Sequence, residues 1–300
     1  FISYNSMLVW PIRQLGRMIS EMSKAGVSID RVAYIMHSPV ETDDPDAVDA
    51  PMDGDICFEH VHFAYENSPE ILHDIHFTVK AGTTLGILGG TGSGKSTLLY
   101  LMTGLMFPQI GNITINGIAA RKRAPEVLRN IYLLPEEFDL PDVSAEVYVK
   151  NNALFYPNFS HQQFDDFLQI FELPDVKRLS QYSMGQKKKF IVSFALATNV
   201  PLLFMDEPTN GMDIPSKSQF RKVIALGMSD ERSIIISTHQ VRDLESMIDR
   251  VMVLHDNTMM LNESVLEIAR KLEFIHTTSK DDLQGCIYST FTPNGFVGVR

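Results

Sequence analysis

Residues 85–105 read LGILGGTGSGKSTLLYLMTGL, and the fold class follows from this stretch. Its centre, residues 89–96, matches the pattern G-x-x-x-x-G-K-S/T. The apolar run before the centre is typical of a buried strand, and the run after it predicts a helix. A glycine-rich turn between the two can direct backbone N–H groups and the positive end of the helix at a phosphate. The sequence therefore predicts a site for a phosphate-bearing ligand.

The lysine and serine that end the pattern add side-chain chemistry to the backbone. Lys95 is expected to reach the β- and γ-phosphates of a nucleotide, and Ser96 offers a hydroxyl to Mg²⁺. Charge-assisted hydrogen bonds of this kind contribute about 1.5–3 kcal/mol each. A chance glycine-rich turn is the alternative, but the flanking strand and helix favour the phosphate site. The residues predicted to bind the nucleotide here are Gly89, Gly90, Thr91, Gly92, Ser93, Gly94, Lys95, Ser96 and Thr97.

A second chemical signal is the run LLFMDE at residues 202–207. Its apolar part predicts a buried strand, and ligands of open α/β sheets bind at the carboxyl ends of such strands. Asp206 is predicted to hold Mg²⁺. Glu207 is predicted to polarise an attacking water as general base, a role that typically contributes about 10²–10⁴ in rate. Strands that end in Asp-Glu are common, so this signal gains its weight from the phosphate-binding pattern.

The composition argues against some classes of function. The chain has 300 residues, of which 44% are hydrophobic and 21% charged, as is ordinary for a globular protein. Its formal net charge is −11, whereas nucleic-acid-binding domains usually carry a basic surface, so no nucleic-acid partner is predicted. Cys57 and Cys286 lack the spacing of a disulfide framework or a zinc site, which favours a reducing, cytoplasmic setting.

The part of the chain before the main domain divides into two segments. Residues 1–37 carry apolar residues at helical spacing, and we expect a helix that Gly26 stops and a second helix that Ser28 caps. This segment either packs on the main domain or forms the cytoplasmic end of a membrane helix. Residues 38–54 are rich in proline and carboxylates and are predicted to be a linker. No run of 18 apolar residues exists, so no complete transmembrane helix is predicted.

From residue 55 onward the pattern changes to strands that alternate with helices. Apolar runs such as NIYLL, VPLLFM and RSIIIS read as strands, and HQQFDDFLQIF reads as a helix between them. This alternation predicts an α/β fold. We place the main domain at residues 55–271 and assign no role to residues 272–300, where the pattern is weak.

Four further motifs narrow the family. The segment YSMGQ at 182–186 opens a predicted helix and resembles the LSGGQ signature of ABC ATPases. The segment PTNGMD at 208–213 resembles the D-loop of that family, and STH at 237–239 resembles its switch-histidine loop. Tyr65 resembles the aromatic residue that stacks on adenine. Together with the phosphate-binding pattern shared by P-loop NTPases, these motifs make residues 55–255 resemble an ABC transporter ATP-binding domain.

The resemblance implies an architecture and a set of partners. ABC ATP-binding domains are P-loop NTPases with a sheet-containing, RecA-like lobe and a helical lobe, which would lie at about residues 137–197. The implied cofactors are ATP and Mg²⁺, with ATP bound between two subunits in head-to-tail fashion. The implied partners are a second ABC ATP-binding domain and a membrane-spanning transporter domain, at the cytoplasmic face of the cell (inner) membrane.

The resemblance also implies roles for single residues. Tyr65 would stack on adenine, and His239 would contact the γ-phosphate and act in catalysis with Lys95 and Glu207. The signature would close over the nucleotide of the partner subunit. The further residues expected to complete the nucleotide site are Ser183, Gly185, Gln186 and Asp213.

Three positions depart from the family pattern. Glu136 stands where the family usually has a glutamine that contacts Mg²⁺ and the transport domain; it is expected to ligate the metal, and it adds charge near Asp206 and Glu207. The signature has Tyr182 and Met184 in place of the usual leucine and glycine. These departures bear on metal coordination and on turnover.

Two parts of the chain resemble two different kinds of ABC protein. Residues 1 to about 105 resemble fused ABC multidrug exporters, and the chain from about Gly111 onward resembles free-standing ATP-binding subunits. A natural mosaic, a chimaera, an assembly artefact and a single unusual family member all remain open. The run Lys187–Lys189, directly after the signature, is expected to be a solvated face, with support for the partner's phosphates as the alternative.

Two other classes of function remain open beside a transport motor. A non-transport ABC ATPase would usually carry a long coiled-coil insertion or a second cassette, and we find neither in this sequence. A module that binds ATP with little turnover is disfavoured by Glu207 and His239, whereas Glu136 and Met184 leave room for it. We predict the ATP-hydrolysing motor of an ABC transporter, with export as the expected direction.

Overall fold

The chain folds into two compact units, residues 1–47 and residues 48–300. All but the last residue of the segment predicted to be a linker, 38–54, lies outside the described residues. The residues that the computed structural model describes are 2–37, 54–244, 247–293 and 295–300.

The described residues of the first unit form one helix, α1 (Ile2–His37). The predicted stop at Gly26 and the predicted cap at Ser28 are therefore wrong. Ser28 Oγ instead donates to the carbonyl oxygen of Lys24 at 3.0 Å, a bond within the helix. A glycine inside a helix costs only about 1 kcal/mol relative to alanine, which a long helix can absorb. Within the described part of the chain, neither α1 nor any other helix is long and apolar enough to cross a membrane.

The second unit alternates strands and helices along the chain. Its strands are β1 (Ile56–Ala64), β2 (Glu70–Val79), β3 (Thr84–Leu88), β4 (Ile110–Ile115), β5 (Ile118–Ala119), β6 (Ile131–Leu134), β7 (Leu202–Asp206), β8 (Ser233–Thr238), β9 (Arg250–His255), β10 (Thr258–Ser264), β11 (Phe274–Thr277), β12 (Tyr288–Thr292) and β13 (Gly295–Val299). Its helices are α2 (Lys95–Met102), α3 (Pro125–Leu128), α4 (Ala145–Asn152), α5 (His161–Ile170), α6 (Met184–Ala197), α7 (Ile214–Gly227) and α8 (Val265–Lys271). Short 3₁₀ helices lie at Ala120–Lys122, Ala153–Phe155, Leu179–Gln181, Val241–Asp243 and Lys280–Leu283.

A six-stranded sheet in the order β10-β9-β3-β8-β7-β6 forms the centre of this unit. All its pairings are parallel except that of β10, at the edge, with β9. Alternate residues of β7 enter two different cores: Leu203 and Met205 pack with the helices α5–α7, and Leu202 and Phe204 pack with α2 and the strands β1, β2 and β4. Because both faces are covered, the strand reads as a continuous apolar run. The predicted α/β fold is confirmed.

Two smaller antiparallel sheets accompany the central one. The order β2-β1-β4-β5 forms the first, whose apolar face belongs to the same core as α2. The order β11-β13-β12 forms the second, within residues 272–300, to which the sequence assigned no role. Its strand β12 reads YSTFT and is mostly exposed, so it lacks the apolar alternation that marks a half-buried strand.

Three helices of the region predicted to be a helical lobe begin at serines. Ser144, Ser160 and Ser183 precede α4, α5 and α6, and each hydroxyl accepts a hydrogen bond from a backbone N–H three residues later. Such caps satisfy one of the four N–H groups that a helix start leaves without a partner. The cap at Ser183 therefore determines where the signature segment turns into α6.

The carboxyl ends of α6 and α7 are held by one buried arginine. Arg232 donates to the carbonyl oxygens of Leu196 at 2.9 Å, Ala195 at 3.2 Å and Gly227 at 3.2 Å. Burial lowers the pKa of its guanidinium to about 10, which leaves the group charged at neutral pH. A cation is favourable at the negative end of a helix, and here it serves two helices.

Replacement of Arg232 should destabilise the fold. Charge-assisted hydrogen bonds contribute about 1.5–3 kcal/mol, and loss of a buried charge offsets part of this, so we expect Arg232→Met to lower the free energy of unfolding by about 2 kcal/mol. Urea unfolding followed by circular dichroism measures it. The matched control is Lys222→Met, which removes an exposed cation of α7. Equal unfolding midpoints for the two variants would contradict the capping role.

Candidate functional site

The carboxyl edge of the central sheet brings together the core of the predicted site. The loop 89–94 follows β3, Glu207 follows β7 and His239 follows β8, and these strands are neighbours. Lys95 Nζ lies 3.7 Å from Glu207 Oε1, and His239 Nδ1 lies 2.9 Å from the same oxygen. One carboxylate therefore contacts Lys95, beyond the end of β3, and His239, beyond the end of β8.

Lys95 is buried at the first position of α2, with 7% of its surface exposed. Its ammonium donates to the carbonyl oxygens of Gly89 at 2.9 Å and Gly90 at 3.0 Å. An ammonium group has three donors, so these bonds leave one for an anion. The loop therefore holds the Lys95 ammonium in place at the N-terminus of α2.

Two glycines are required by the geometry of the loop. Gly94 has φ +91°, in the left-handed region that glycine alone adopts freely, and a Cβ there would lie 2.9 Å from Leu72 Cδ2. A Cβ at Gly89 would lie 2.7 Å from the carbonyl oxygen of Leu254 and closer still to Ser93 Oγ. A larger residue at either position would displace the loop.

The start of α2 fits a phosphate. No side chain caps this helix, and the first N–H groups of any helix lack partners inside it. Ser93 Oγ is buried without a hydrogen-bond partner. Buried unsatisfied polar groups are uncommon in native folds, and an oxygen of a bound phosphate would satisfy this hydroxyl. The unsatisfied donors and Lys95 together make an anion site.

Glu207 is fixed in a backbone conformation that is costly for a residue with a Cβ, with φ +43°. Its N–H donates to the carbonyl oxygen of Ser237 at 3.0 Å, and its own carbonyl accepts from Lys188 Nζ at 3.0 Å. Its carboxylate accepts from the N–H of His239 at 3.3 Å as well as from the ring. Gln240 Nε2 lies 3.2 Å from His239 Nε2, so the tautomer protonated at Nδ1 satisfies both ring contacts.

Three oxygen-bearing residues are the candidates for Mg²⁺ binding. Asp206 is buried and accepts a hydrogen bond from Ser237 Oγ. Glu136 Oε1 accepts from Asn210 Nδ2 at 2.7 Å, and Ser96 lies in the first turn of α2. Mg²⁺ prefers oxygen ligands and usually keeps several waters, so a hydroxyl and two carboxylates fit it chemically. Their role as ligands stays a prediction.

Tyr65 lies just beyond β1, beside α2. Its hydroxyl lies 3.0 Å from Thr97 Oγ1, and its ring meets Phe63 edge-on, with the centroids 5.1 Å apart. The residue remains 39% exposed. The ring is thus anchored at both ends and keeps exposed surface on which a base could stack.

The signature residues make their contacts at the start of their own helix. Ser183 and Gln186 form a reciprocal capping box, with Ser183 N–H donating to Gln186 Oε1 at 2.9 Å. Met184 is 64% exposed, whereas Tyr182 is buried and donates to the carbonyl oxygen of Pro174 at 3.0 Å. The two departures from the family pattern therefore differ: the tyrosine anchors the segment, and the methionine faces outward.

Asp213 caps α7, and Gly185 lies near the same loop. The Asp213 carboxylate accepts from Ser216 N–H at 2.8 Å, and hydrogen bonds from Ser216 hold its pKa below the usual range. A Cβ at Gly185 would lie 3.8 Å from the carbonyl oxygen of Gly211. The structure therefore places Lys95 and His239 against Glu207, while the contacts of the signature run to its own helix, to Pro174 and to the D-loop segment.

Lys188 belongs to the site, although the sequence predicted it to lie on a solvated face. Its side chain is buried and donates to the carbonyl oxygens of Glu207 and Asn210, both at 3.0 Å. Burial lowers its pKa, and the nearby carboxylates of Glu136, Glu207 and Asp206 oppose that shift. The signal was the position of this lysine three residues after Gly185, on the helix face that meets the D-loop segment.

The expectation that Lys187–Lys189 forms a solvated face is wrong for two of its three residues. Lys188 is buried, and Lys189 Nζ donates to the carbonyl oxygen of Phe171 at 3.3 Å and to Gln219 Oε1 at 2.9 Å. Both lysines reach backbone carbonyls through long apolar stems. A run of like charges was therefore a poor guide to exposure here.

Comparison with known proteins yields one family and two kinds of relative. The model of the ABC transporter family matches residues 72–210. The chain is 29% identical over 192 residues to the ABC transporter ATP-binding protein YtrB of Bacillus subtilis (strain 168), covering 63% of this chain and 65% of that protein. It is 28% identical over 258 residues to the probable multidrug resistance ABC transporter ATP-binding/permease protein YheI of the same organism, covering 82% of this chain and 44% of that protein.

Two solved structures share the fold. An Atm1-family ABC exporter with ATP bound superposes with a TM-score of 0.69 at 22% identity, covering 89% of this chain and 48% of that one. An ATP-binding subunit of an ABC transporter superposes with a TM-score of 0.64 at 24% identity, covering 72% of this chain and 92% of that one. The chain spans less than two thirds of the length of the curated relatives described above.

Removal of the Lys188 ammonium should loosen the segment after Glu207. Lys188→Met removes the ammonium donor of two carbonyls, of which that of Glu207 keeps the N–H of Asn210; we expect a cost of about 1.5 kcal/mol, which corresponds to roughly tenfold faster local opening. Native-state hydrogen exchange measures this at the N–H groups of Asn210 and Met212, which are bonded within the segment. The control, Lys187→Met, changes a partly exposed neighbour. Unchanged exchange in Lys188→Met would remove this lysine as the support of the segment.

Proposed function

The chain contains an ABC transporter ATP-binding domain, and we propose that it hydrolyses ATP as the motor of a membrane transporter. The observation that carries the proposal is the convergence of Lys95, Glu207 and His239 beside the uncapped start of α2. An anion site and a buried carboxylate at one strand edge are the two parts that attack of water on a phosphate requires.

In the proposed mechanism the chain binds the phosphates and activates the water. The N–H groups at the start of α2 and the Lys95 ammonium bind the triphosphate. Glu207 accepts the proton of the attacking water, and His239 and Lys188 hold its side chain and its backbone in position. Ser96, Asp206 and Glu136 would hold Mg²⁺, which would neutralise charge on the phosphates.

The partner proposals rest on exposure and on the relatives. Met184, within the signature, is exposed, and the side chains of Ser183 and Gln186 bond within their own segment, so a second ATP-binding domain could bring its own signature to this nucleotide. The relative YheI is named an ATP-binding/permease protein. We propose by analogy that this domain acts with a membrane-spanning transporter domain at the cytoplasmic face of the membrane, in export.

Glu207→Gln should abolish turnover while ATP binding is retained. The amide keeps the shape of the side chain but cannot accept the proton, so we expect a loss of about 10²–10⁴ in kcat. Phosphate release measures turnover, and size-exclusion chromatography with ATP should show a trapped dimer.

The matched control for this variant is Glu231→Gln, an exposed glutamate that follows α7. Its kcat should equal that of the unmodified chain. Unchanged turnover in Glu207→Gln would remove Glu207 as the base. Absence of turnover in the unmodified chain, with ATP bound, would instead favour a binding module.

Tyr65→Ala should weaken the binding of ATP but not that of tripolyphosphate. Stacking of a base on an aromatic ring contributes about 1–3 kcal/mol, so the Kd for ATP should rise roughly tenfold or more. Calorimetry with both ligands separates the adenine contact from the phosphate contacts.

Tyr65→Phe is the control, since it keeps the ring and removes only the hydroxyl that contacts Thr97. We expect it to bind ATP nearly as the unmodified chain does. Equal losses of ATP and tripolyphosphate affinity in Tyr65→Ala would show that the residue supports the loop rather than the base.

A further inference from the structure

A second cluster of ligating side chains lies on the sheet of β1 and β2. His62 Nδ1 lies 2.7 Å from Glu70 Oε1, and His73 Nδ1 lies 2.8 Å from Glu70 Oε2. One ligand atom from each residue lies within 4.8 Å of the others. Among the residues that the structure describes, this is the one group of three or more histidine, cysteine or acidic side chains that converges in this way. None of the three takes part in the proposed ATP chemistry.

The spacing of the cluster is close to that of a metal site. A tetrahedral ion with nitrogen and oxygen ligands at about 2.0–2.1 Å separates its ligand atoms by about 3.3 Å. Each histidine contacts a different oxygen of Glu70, so rotation of the carboxylate would bring one oxygen to both nitrogens, and each nitrogen–oxygen contact now at 2.7 or 2.8 Å lies within about 0.6 Å of the tetrahedral spacing. The rings of His62 and His73 stand nearly perpendicular, at 88°, with centroids 4.9 Å apart. Because the rings are not stacked face to face, they leave space between the ligand atoms for an ion.

The ligands are held by backbone from three strands and a turn. His62 belongs to β1 and pairs with Ile110 of β4, while Glu70 and His73 belong to β2. Asn257 ties the start of β2 in place, because its side chain donates to the carbonyl oxygen of Glu70 and its carbonyl accepts from the N–H of His73, both at 2.8 Å. The three side chains are therefore positioned by rigid elements, as a metal site requires.

We propose that His62, Glu70 and His73 bind a divalent transition-metal ion of the zinc class, with a fourth position open to water. Imidazole nitrogen and carboxylate oxygen suit Zn²⁺, Ni²⁺ and Cu²⁺, whereas Mg²⁺ prefers oxygen ligands. Each imidazole binds through its Nδ1 lone pair after its proton moves to Nε2, so a neutral ring loses no proton. The carboxylate binds in its ionised form, and hydrogen bonds from both histidines already hold the pKa of Glu70 below its usual range.

A neighbouring pair of residues provides an internal comparison. His60 Nδ1 lies 2.7 Å from Asp74 Oδ1 on the same sheet, and the ring of His60 stacks on that of His76 with centroids 5.1 Å apart. This pair has the same histidine–carboxylate bond, but no third ligand atom from the described part of the chain converges on it. The proposed metal site therefore differs from this ion pair in having a third ligand atom, and substitutions in the two groups can be compared.

The test is Zn²⁺ titration of the nucleotide-free chain in excess Mg²⁺, in competition with a chromophoric chelator. The unmodified chain should bind one Zn²⁺ in the micromolar range or tighter. His62→Asn, Glu70→Gln and His73→Asn should each weaken binding by at least about tenfold, since loss of even an outer partner of a metal ligand typically costs 10–100-fold. Co²⁺ in place of Zn²⁺ should give the intense visible absorption of a four-coordinate ion.

The control is His60→Asn, which makes the same substitution in the neighbouring pair and should leave Zn²⁺ affinity unchanged. Asparagine is well suited to its positive φ of +47°. If a ligand variant fails to fold, imidazole NMR signals of the unmodified chain replace it: Zn²⁺ should shift those of His62 and His73 and leave that of His60. No micromolar binding, or equal affinity in the ligand variants and the control, would overturn the proposal.

Discussion

A buried carboxylate and a buried ammonium, 3.7 Å apart at the edge of a parallel sheet, are the contact on which the rest of the site depends. Either charge alone would be costly to bury, so each needs the other and the backbone around them. Carbonyls of the glycine loop hold Lys95, and Ser237, Lys188 and His239 hold Glu207. The strained backbone of Glu207 is stable only because these neighbours fix it from several sides.

The sequence predicted the elements that carry a strong local pattern. The loop 89–96 and the buried strands could be read directly, since glycines, apolar runs and terminal carboxylates occur where the chemistry needs them. The continuity of α1 could not be predicted, because a glycine and a serine resemble a helix boundary even where the length of the helix overrides them. The burial of Lys188 could not either, because exposure of a lysine depends on which carbonyls face it in three dimensions.

The histidine cluster on β1 and β2 was invisible for a related reason. His62 and His73 are separated along the chain by the turn that follows Tyr65, and their spacing matches no metal-binding pattern. Only the pairing of the two strands brings them to one carboxylate. The chain is similar both to an ATP-binding/permease protein and to an ATP-binding protein, and the division of the sequence into two parts of different resemblance stays a prediction.

The strand order β3-β8-β7 sets the distance between the backbones of the phosphate loop and Glu207. The phosphate loop and Glu207 leave strands that are two places apart, and adjacent strands are separated by about 4.8 Å, so their backbones are held roughly 10 Å apart by the hydrogen-bonded ladder itself. No change of side chain alters that spacing. Differences in the rate of ATP hydrolysis among chains of this architecture must therefore come from side-chain rotamers, bound ions and neighbouring subunits, whereas the sheet keeps the distance between the two strand ends constant.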